Sequence, residues 1–327
     1  MATKSKYFYE LTISSSPHVH GPRRTWNLML DVILALLPAL VGAVVNFGFR
    51  ALTVTAVSVC ASVFFEWAYR RLLRLDCTVS DLSAVVTGML VAFVCPVTIP
   101  YWTVIVGDFF AIVVVKQLFG GIGKNIVNPA LAARAFLFSW PAVMTTWVTS
   151  GSRPGILFPA DAVTAATPLG LLHTGSLPAE SPLTLFLGQT GGCLGETSAL
   201  LLLLGGAYLV LRRVISLRIP LAYLASVAVL TLLFPRGNDP LLWMSSQLLS
   251  GGLMLGAIFM ATDYTTSPVT GWGQILFGVG CGCITVLIRY FGSYPEGVSY
   301  AILVMNTCVV LLDRVGLPRR FGKEAKA

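Results

Sequence analysis

The chain contains ten apolar runs that are long enough, or almost long enough, to cross a lipid bilayer. A helix needs about 20 apolar residues to span the hydrocarbon core of a membrane. Helices are the simplest way for such runs to satisfy their own backbone hydrogen bonds in lipid. We therefore predict an all-α polytopic membrane protein. The ten predicted spans are 27–47, 51–69, 82–99, 101–117, 127–148, 194–211, 219–235, 241–261, 272–290 and 296–313.

Charged residues are scarce, and their distribution supports this number of spans. Only 11% of the 327 residues are charged, whereas an average soluble domain carries about 25%. With a cytoplasmic N-terminus, seventeen of the 22 Lys and Arg residues fall on the cytoplasmic side and four on the other side. This bias follows the positive-inside rule, so both termini are predicted to be cytoplasmic. The net charge of +8 then belongs to loops beside membrane lipid, and no nucleic-acid partner is expected.

Ten spans divide naturally into two halves of five. Two halves with an odd number of spans have opposite orientations, which is the plan of inverted repeats in many transporters. The segment Thr87-Gly88-Met89-Leu90 resembles Ser250-Gly251-Gly252-Leu253, as such repeats predict. The predicted organisation is a cytoplasmic N-terminal segment (1–25), a first five-helix half (26–148), an extracytoplasmic loop (149–193), a second five-helix half (194–314) and a cytoplasmic tail (315–327).

A segment rich in Gly and Asn, residues 120–130, lies between the fourth and fifth spans. Its glycines permit a close backbone approach to a planar ligand, and the amides of Asn125 and Asn128 both donate and accept hydrogen bonds. A tight turn that caps the fifth span, with Pro129 in the first helical turn, explains the same residues. The segment is not a P-loop, because no Ser or Thr follows Lys124. Both interpretations remain open from residue types alone.

Two further polar segments are candidates for ligand contact, and each also has a purely structural explanation. Residues 161–169 lie in the long loop, where an Asp or Thr can cap a short helix. Residues 259–268 close the eighth span, where polar side chains can satisfy free helix carbonyls. The seven Cys residues are scattered and lack the spacing of a metal site, so no metal and no Fe–S cluster is predicted.

Ionisable residues inside predicted spans form a separate class. Asp108 and Arg134 each fall within a span, where a charge is costly unless it is paired or hydrated. An ion pair between these two residues and a role of Asp108 in the passage of an ion are both consistent with the sequence. Three other acidic residues lie near predicted span ends, where solvation is cheap: Asp31, Glu66 and Asp313.

Taken together and in this order, these motifs resemble a family of membrane subunits. The family includes the D subunit of the Rnf complex, an ion-translocating ferredoxin:NAD oxidoreductase, and the B subunit of the sodium-pumping NADH:quinone oxidoreductase. The resemblance favours the Rnf member, because only a short segment precedes the first span. A B-type subunit and a cofactor-free secondary transporter are the alternatives. The matching segments are Ser16-Pro17-His18 and residues 31–38, 120–138, 161–169 and 261–268.

The resemblance implies a membrane electron-transfer subunit with FMN bound covalently to a threonine. A phosphoester to the threonine hydroxyl, made by a separate flavin transferase, forms this link in the family. Ala165 stands where the family motif often has Gly. The attachment site would be Thr167, in the extracytoplasmic loop, and the neighbouring residues of the cofactor-binding motif would be Asp161, Thr164, Ala166 and Pro168.

The resemblance also implies a multi-subunit assembly in the bacterial inner membrane. Other membrane, flavin and Fe–S subunits of the Rnf complex would handle ferredoxin and NAD, so no catalytic residue is assigned to this chain. The complex would move Na⁺ or H⁺, with Asp108 as a candidate for the ion path. A second, non-covalent flavin such as riboflavin would have these candidate residues: Gly120, Gly121, Lys124, Asn125, Asn128, Asp263 and Ser267.

Overall fold

The computed structural model describes residues 24–151, 153–156, 167–196, 198–237 and 239–315. These described residues form fifteen α-helices and no β-strand. The backbones of Pro96 and Cys193 make an isolated antiparallel bridge. The predicted all-α class is therefore confirmed.

The first half begins with two long helices, α1 (Thr25–Phe47) and α2 (Phe49–Leu72), which are separated only by Gly48 at φ +77°. A short 3₁₀ turn, Val79–Asp81, leads into α3 (Ser83–Phe93). Helix α4 (Tyr101–Phe109) continues directly into a π-helical segment, Phe110–Gln117. The half ends with α5 (Pro129–Leu137) and the single turn α6 (Pro141–Met144).

The second half follows two short helices of the long loop, α7 (Pro168–His173) and α8 (Pro182–Leu187). It comprises α9 (Ala199–Leu211), α10 (Arg218–Leu233), α11 (Pro240–Leu249) and α12 (Leu253–Leu255), which continues as a π-helical segment, Gly256–Met260. Helices α13 (Gly271–Phe291), α14 (Val298–Thr307) and α15 (Val309–Val315) complete it.

Three of the described helices, α1, α2 and α13, are individually long and apolar enough to cross a membrane. Two bent pairs raise this number to five if each pair is one span: Pro240–Leu249 with Leu253–Met260 at 64°, and α14 with α15 at 62°. The apolar helices α3, α9 and α10 are shorter. A polytopic membrane protein agrees with these lengths, and the number of ten spans stays a prediction.

Four predicted spans are not continuous helices: the two bent pairs interrupt 241–261 and 296–313, and the helices of two other spans end early. Within 82–99 the helix α3 ends at Phe93, and within 127–148 the helix α5 ends at Leu137. Arg50 satisfies the non-helical backbone after α3, because its guanidinium donates to the carbonyls of Val97 at 2.7 Å and Ile99 at 3.0 Å. Arg50 falls between two predicted spans, 27–47 and 51–69, yet its side chain is buried against this backbone.

The part of the long loop after residue 166 packs onto the helices. Leu169, Leu172 and Leu185 are all buried. Residues 157–166 lie outside the described part of the chain.

The predicted inverted repeat receives no support from the two similar tetrapeptides. Residues 87–90 lie inside α3, whereas residues 250–253 form the break between α11 and α12, with Gly251 at φ +71°. The two tetrapeptides therefore differ in local conformation, and the repeat stays a prediction.

Gly88 sets the close packing of α3 against α2. A Cβ atom at this position would lie 2.9 Å from both the Ser58 carbonyl oxygen and the Val59 Cα. Only glycine permits this approach, which brings the backbone of α3 within reach of hydroxyl groups on α2.

Candidate functional site

Thr167 lies at the start of α7, where its side chain caps the helix. The Thr167 hydroxyl oxygen accepts a hydrogen bond from the Gly170 N–H at 3.1 Å, and Pro168 occupies the first helical position. This is the arrangement expected of Thr followed by Pro at a helix start. Three other predicted members of the motif lie outside the described residues: Asp161, Thr164 and Ala166.

Thr167 lines a small cavity of about 70 Å³, which we call the Thr167 cavity. It lies between the long loop, the end of α5, the break between α11 and α12, and the segment before α14. The lining includes the aromatic residues Phe138, Trp147 and Tyr294, the small residues Thr190, Gly191 and Gly192, and the polar residues Cys193, Glu196 and Glu296.

A buried ion-pair cluster forms one wall of the Thr167 cavity. Arg134 of α5 donates to Glu196 at 2.6 Å and also to Glu296. The second carboxylate oxygen of Glu296 accepts the Gly252 N–H at 3.0 Å. The Arg134 side chain is only 2% exposed. The cluster joins α5, the segment before α9, the α11–α12 break and the segment before α14.

The suggested ion pair between Arg134 and Asp108 is therefore wrong. Arg134 is satisfied by two glutamates that lie 62 and 162 positions away in the sequence. Sequence reasoning missed Glu196 and Glu296, because each lies at the very start of a predicted span, 194–211 or 296–313, where a charged residue is ordinary.

A second small cavity, of about 80 Å³, is lined by residues from both halves of the chain, and we call it the Asn125 cavity. Three of the seven residues predicted for a second flavin line it, namely Asn125, Asn128 and Asp263. The structure therefore brings together two segments that the sequence separates by more than 130 positions. The remaining lining comes largely from apolar side chains of α1, α3 and α9 and from the segment after α12.

The other four predicted residues lie beside this cavity and do not line it. Gly120 and Gly121 form the turn before it, at φ +112° and +91°. Lys124 is exposed and its side chain folds against Gly120. Ser267 lines a separate groove next to Gln274.

Asn128 both caps a helix and lines a cavity, the two interpretations that the sequence left open for its segment. Its side-chain oxygen caps α5 by accepting the Ala130 N–H at 3.0 Å, while its amide nitrogen donates to the Met260 carbonyl at 3.2 Å. The turn interpretation is correct for this residue, and the same side chain also lines the Asn125 cavity.

Asp263 stands on the other side of the Asn125 cavity. Its Oδ2 accepts hydrogen bonds from Thr265 at 2.9 Å and Thr266 at 3.2 Å. Burial raises the pKa of the Asp263 carboxyl, although these hydrogen bonds act in the opposite direction. The group therefore resists ionisation more than an exposed aspartate does.

A second buried ion pair borders the Asn125 cavity. The Lys116 ammonium donates to Glu66 at 2.8 Å and to the Ser83 hydroxyl at 2.6 Å. Glu66 is fully buried, so the expectation of cheap solvation for this residue is wrong. Lys116 lines the cavity and was not among the predicted residues, because it reads as a loop lysine at the end of an apolar run.

Asp108 lies near the middle of the continuous helix that runs from Tyr101 to Gln117, and it is fully buried. Its Oδ1 lies 2.9 Å from the Ser58 hydroxyl and 3.1 Å from the Ser62 hydroxyl, both on α2. Its Oδ2 has no hydrogen-bond partner among the described residues.

Comparison with known proteins matches residues 12–322 to the family described as NQR2, RnfD, RnfE. The chain is 50% identical to the D subunit of the Na(+)-translocating ferredoxin:NAD(+) oxidoreductase complex of Acetobacterium woodii, over 97% of this chain and 98% of that protein. It is 42% identical to the D subunit of the proton-translocating ferredoxin:NAD(+) oxidoreductase complex of Clostridium ljungdahlii, over 95% and 96%. It is 40% identical to the D subunit of the ion-translocating oxidoreductase complex of Stutzerimonas stutzeri, over 92% and 93%.

Proposed function

The chain belongs to the NQR2, RnfD, RnfE family, and from this premise we propose that it is the D subunit of an ion-translocating ferredoxin:NAD oxidoreductase complex in a bacterial inner membrane. Near-complete coverage of relatives with that name supports the subunit assignment. Electron transfer through this subunit would use FMN joined covalently to Thr167.

The main support for the flavin proposal is that Thr167 lines a cavity. Esterification replaces the hydroxyl hydrogen by phosphorus and keeps the oxygen. The oxygen can therefore still accept the Gly170 N–H, so the cap of α7 survives the modification. The hydroxyl hydrogen itself is not used in a hydrogen bond to any described residue. A linked flavin would supply a ring that accepts and releases electrons.

The walls of the Thr167 cavity suit a planar aromatic group. Phe138, Trp147 and Tyr294 provide aromatic surface. A Cβ atom at Gly192 would meet nothing within 4 Å, so the cavity is open above this residue. Glu196 and Glu296 bring charge to the wall, and charge beside a flavin tunes its redox potential.

The Asn125 cavity supports a second, non-covalent flavin such as riboflavin. Asn125 and Asn128 offer amides that can pair with the donor and acceptor edge of a heteroaromatic ring. Lys116 would place a positive charge beside that ring. The apolar remainder of the lining would exclude water from it.

Ferredoxin and NAD would bind to other subunits of the complex. All seven Cys residues of this chain are free, and their spacing does not match the Cys patterns of Fe–S clusters. The oxidoreductase activity would therefore belong to the assembly, with this chain as its membrane-embedded electron carrier.

In-gel fluorescence tests the flavin proposal directly. The full-length chain, produced together with a flavin transferase, should give a band that keeps flavin fluorescence after denaturation. Thr167→Ala should abolish the fluorescence, and Thr167→Ser should retain it because the hydroxyl remains. Thr174→Ala is the matched control, since Thr174 follows the last residue of the same short helix, donates to the Leu171 carbonyl and otherwise contacts only the Ser176 hydroxyl among the described side chains. A dark wild-type band, or fluorescence that persists in Thr167→Ala, would contradict the proposal.

A further inference from the structure

Asp108 is a carboxyl group without a countercharge. It is fully buried and forms no ion pair with any Lys or Arg of the described residues. Desolvation of an isolated carboxylate costs so much that buried acids usually neutralise instead. No neighbouring Lys or Arg of the described residues therefore stabilises an ionised Asp108.

The surrounding charged and titratable groups are engaged elsewhere. Glu66 on α2 is paired with Lys116. Arg134 on α5 is paired with Glu196 and Glu296. From the segment after α3, the Cys95 thiol interacts electrostatically with Asp108 but brings no positive charge.

The hydrogen-bond geometry around Asp108 accommodates a proton on its Oδ1. The Ser58 hydroxyl lies 2.8 Å from the Gly88 carbonyl oxygen and 2.9 Å from Asp108 Oδ1, but it has one hydrogen to donate. If Oδ1 carries a proton, Asp108 donates to Ser58 and Ser58 donates to Gly88. Ser62 then still donates to Oδ1 at 3.1 Å. In the neutral form of Asp108, all three hydrogen bonds can therefore form at the same time. In the ionised form, Asp108 and the Gly88 carbonyl both require the single hydroxyl hydrogen of Ser58.

A row of buried polar side chains on α2, which we call the α2 file, leads from Asp108 to one end of the helix bundle. Ser58, Ser62 and Glu66 follow one another at intervals of four residues on α2, so they share one face of the helix. All three are fully buried. One helical turn, about 5.4 Å, separates successive members, a gap that one water molecule can bridge.

Beyond Glu66 the file continues through direct hydrogen bonds. Lys116 joins Glu66 to the Ser83 hydroxyl, and this hydroxyl donates to Asp81 Oδ1 at 2.6 Å. Asp81 is only partly buried, so the file reaches the surface at the end of the bundle that the charge distribution predicts to be cytoplasmic.

The file does not continue past Asp108 on this face of α2. Toward the other end of α2, Val54 and Ala51 are apolar and fully buried, and the hydroxyl of the buried Thr55 donates to the Ala51 carbonyl of its own helix. On this face of α2 the polar side chains therefore lead away from Asp108 on one side only.

We propose that Asp108, Ser58 and Ser62 form a proton-binding site in the middle of the membrane, which exchanges its proton with one side through the α2 file. The site binds one proton and thereby neutralises one carboxylate charge. It deepens the ion-translocating part of the proposed function, and it does not require the flavin at Thr167.

Infrared spectroscopy of the full-length chain in lipid vesicles tests this proposal. The protein is produced without flavin transferase, so that the result is independent of the proposed cofactor. At neutral pH, the spectrum of the wild type minus that of Asp108→Asn should show the C=O stretch of a protonated carboxyl, which shifts in D₂O. Thr55→Ala should keep this band, because the Thr55 hydroxyl on the same helix donates to the Ala51 carbonyl.

Two further variants probe the site without removing Asp108. Ser58→Ala deletes the acceptor of the proton and should move the same band to higher frequency, which keeps the proposal testable if Asp108→Asn does not fold. Ser62→Ala should slow the exchange of this band in D₂O by about tenfold, the factor that corresponds to about 1.4 kcal/mol of barrier. The matched control, Thr55→Ala, should exchange at the wild-type rate.

The same spectra contain the outcomes that overturn the proposal. Carboxylate stretches in place of a C=O band in the Asp108 difference spectrum would show an ionised group. Loss of the band when Na⁺ is added would identify a sodium site instead of a proton site. An unchanged band position in Ser58→Ala, or an unchanged exchange rate in Ser62→Ala, would contradict the hydrogen-bond geometry or the file.

Discussion

Replacing Arg134 by Met should strongly destabilise the protein, because it removes the cation that two buried glutamates contact. The side chain of Glu196 is 4% exposed and that of Glu296 is 10% exposed. Neither carboxylate can regain its hydration in the folded state. Removing one partner of a buried ion pair costs about 3–5 kcal/mol. Met keeps much of the length and apolar character of the Arg stem, so the loss should come mainly from the charge.

Arg212 provides the matched comparison. It pairs with Asp31 at 3.3 Å; the Asp31 side chain is 10% exposed, but the Arg212 side chain is 58% exposed. Solvent screens the exposed arginine, and the Tyr208 hydroxyl still donates to Asp31 at 2.9 Å when Arg212 is removed, so the loss should be about 1 kcal/mol. Arg212→Met should therefore lower stability by much less than Arg134→Met, although both variants delete one arginine and its ion pairing.

Thermal unfolding of the purified full-length chain in detergent, followed by tryptophan fluorescence, measures this difference. Arg134→Met should unfold many degrees below the wild type, and Arg212→Met close to it. Adding Glu196→Gln and Glu296→Gln to Arg134→Met should restore part of the loss, because neutral amides need no cation. Equal unfolding temperatures for the two arginine variants, or no recovery in the triple variant, would refute the electrostatic reasoning.

Three other substitutions test separate parts of the structure. Lys116→Met should cost about 3–5 kcal/mol by leaving Glu66 buried without a cation; a loss that Glu66→Gln does not partly reverse in the same thermal assay would argue against this. Gly205→Leu should prevent the close contact of α9 with α1, because a Cβ atom would overlap the Ala35 carbonyl oxygen; normal yield and a monodisperse gel-filtration peak would contradict it. Asn128→Ala should cost about 0.5–2 kcal/mol through loss of the α5 cap; an unfolding temperature equal to that of the wild type would exclude this role.

The sequence predicts local features of this fold well, since they depend on nearby residues. The apolar runs predict the helices, and Pro129 and Pro168 correctly mark the starts of α5 and α7. The breaks within 82–99 and 127–148 are harder to predict. In each case a side chain distant in sequence donates to the non-helical backbone: Arg50 to the Val97 and Ile99 carbonyls, and Thr98 to the Thr146 carbonyl.

The partners of buried charges could not be predicted, because they depend on tertiary packing. An ion pair between Arg134 and Asp108 is consistent with the sequence, yet Arg134 pairs with two glutamates that are 62 and 162 positions away. Asp108 instead contacts two serines on α2, a residue type that carries no charge signal. Asn125 and Asp263, which the family resemblance placed in one candidate site, line the same cavity. Their spacing in the sequence did not indicate this proximity.

The mass of the peptide that contains Thr167 is the most direct test of the central claim. The full-length chain is produced with a flavin transferase, digested and analysed by fragmentation mass spectrometry. We predict that this peptide carries the mass of FMN minus one water, with the fragment ions placing it on Thr167. An unmodified Thr167 peptide, or an FMN adduct on another residue, would contradict the account.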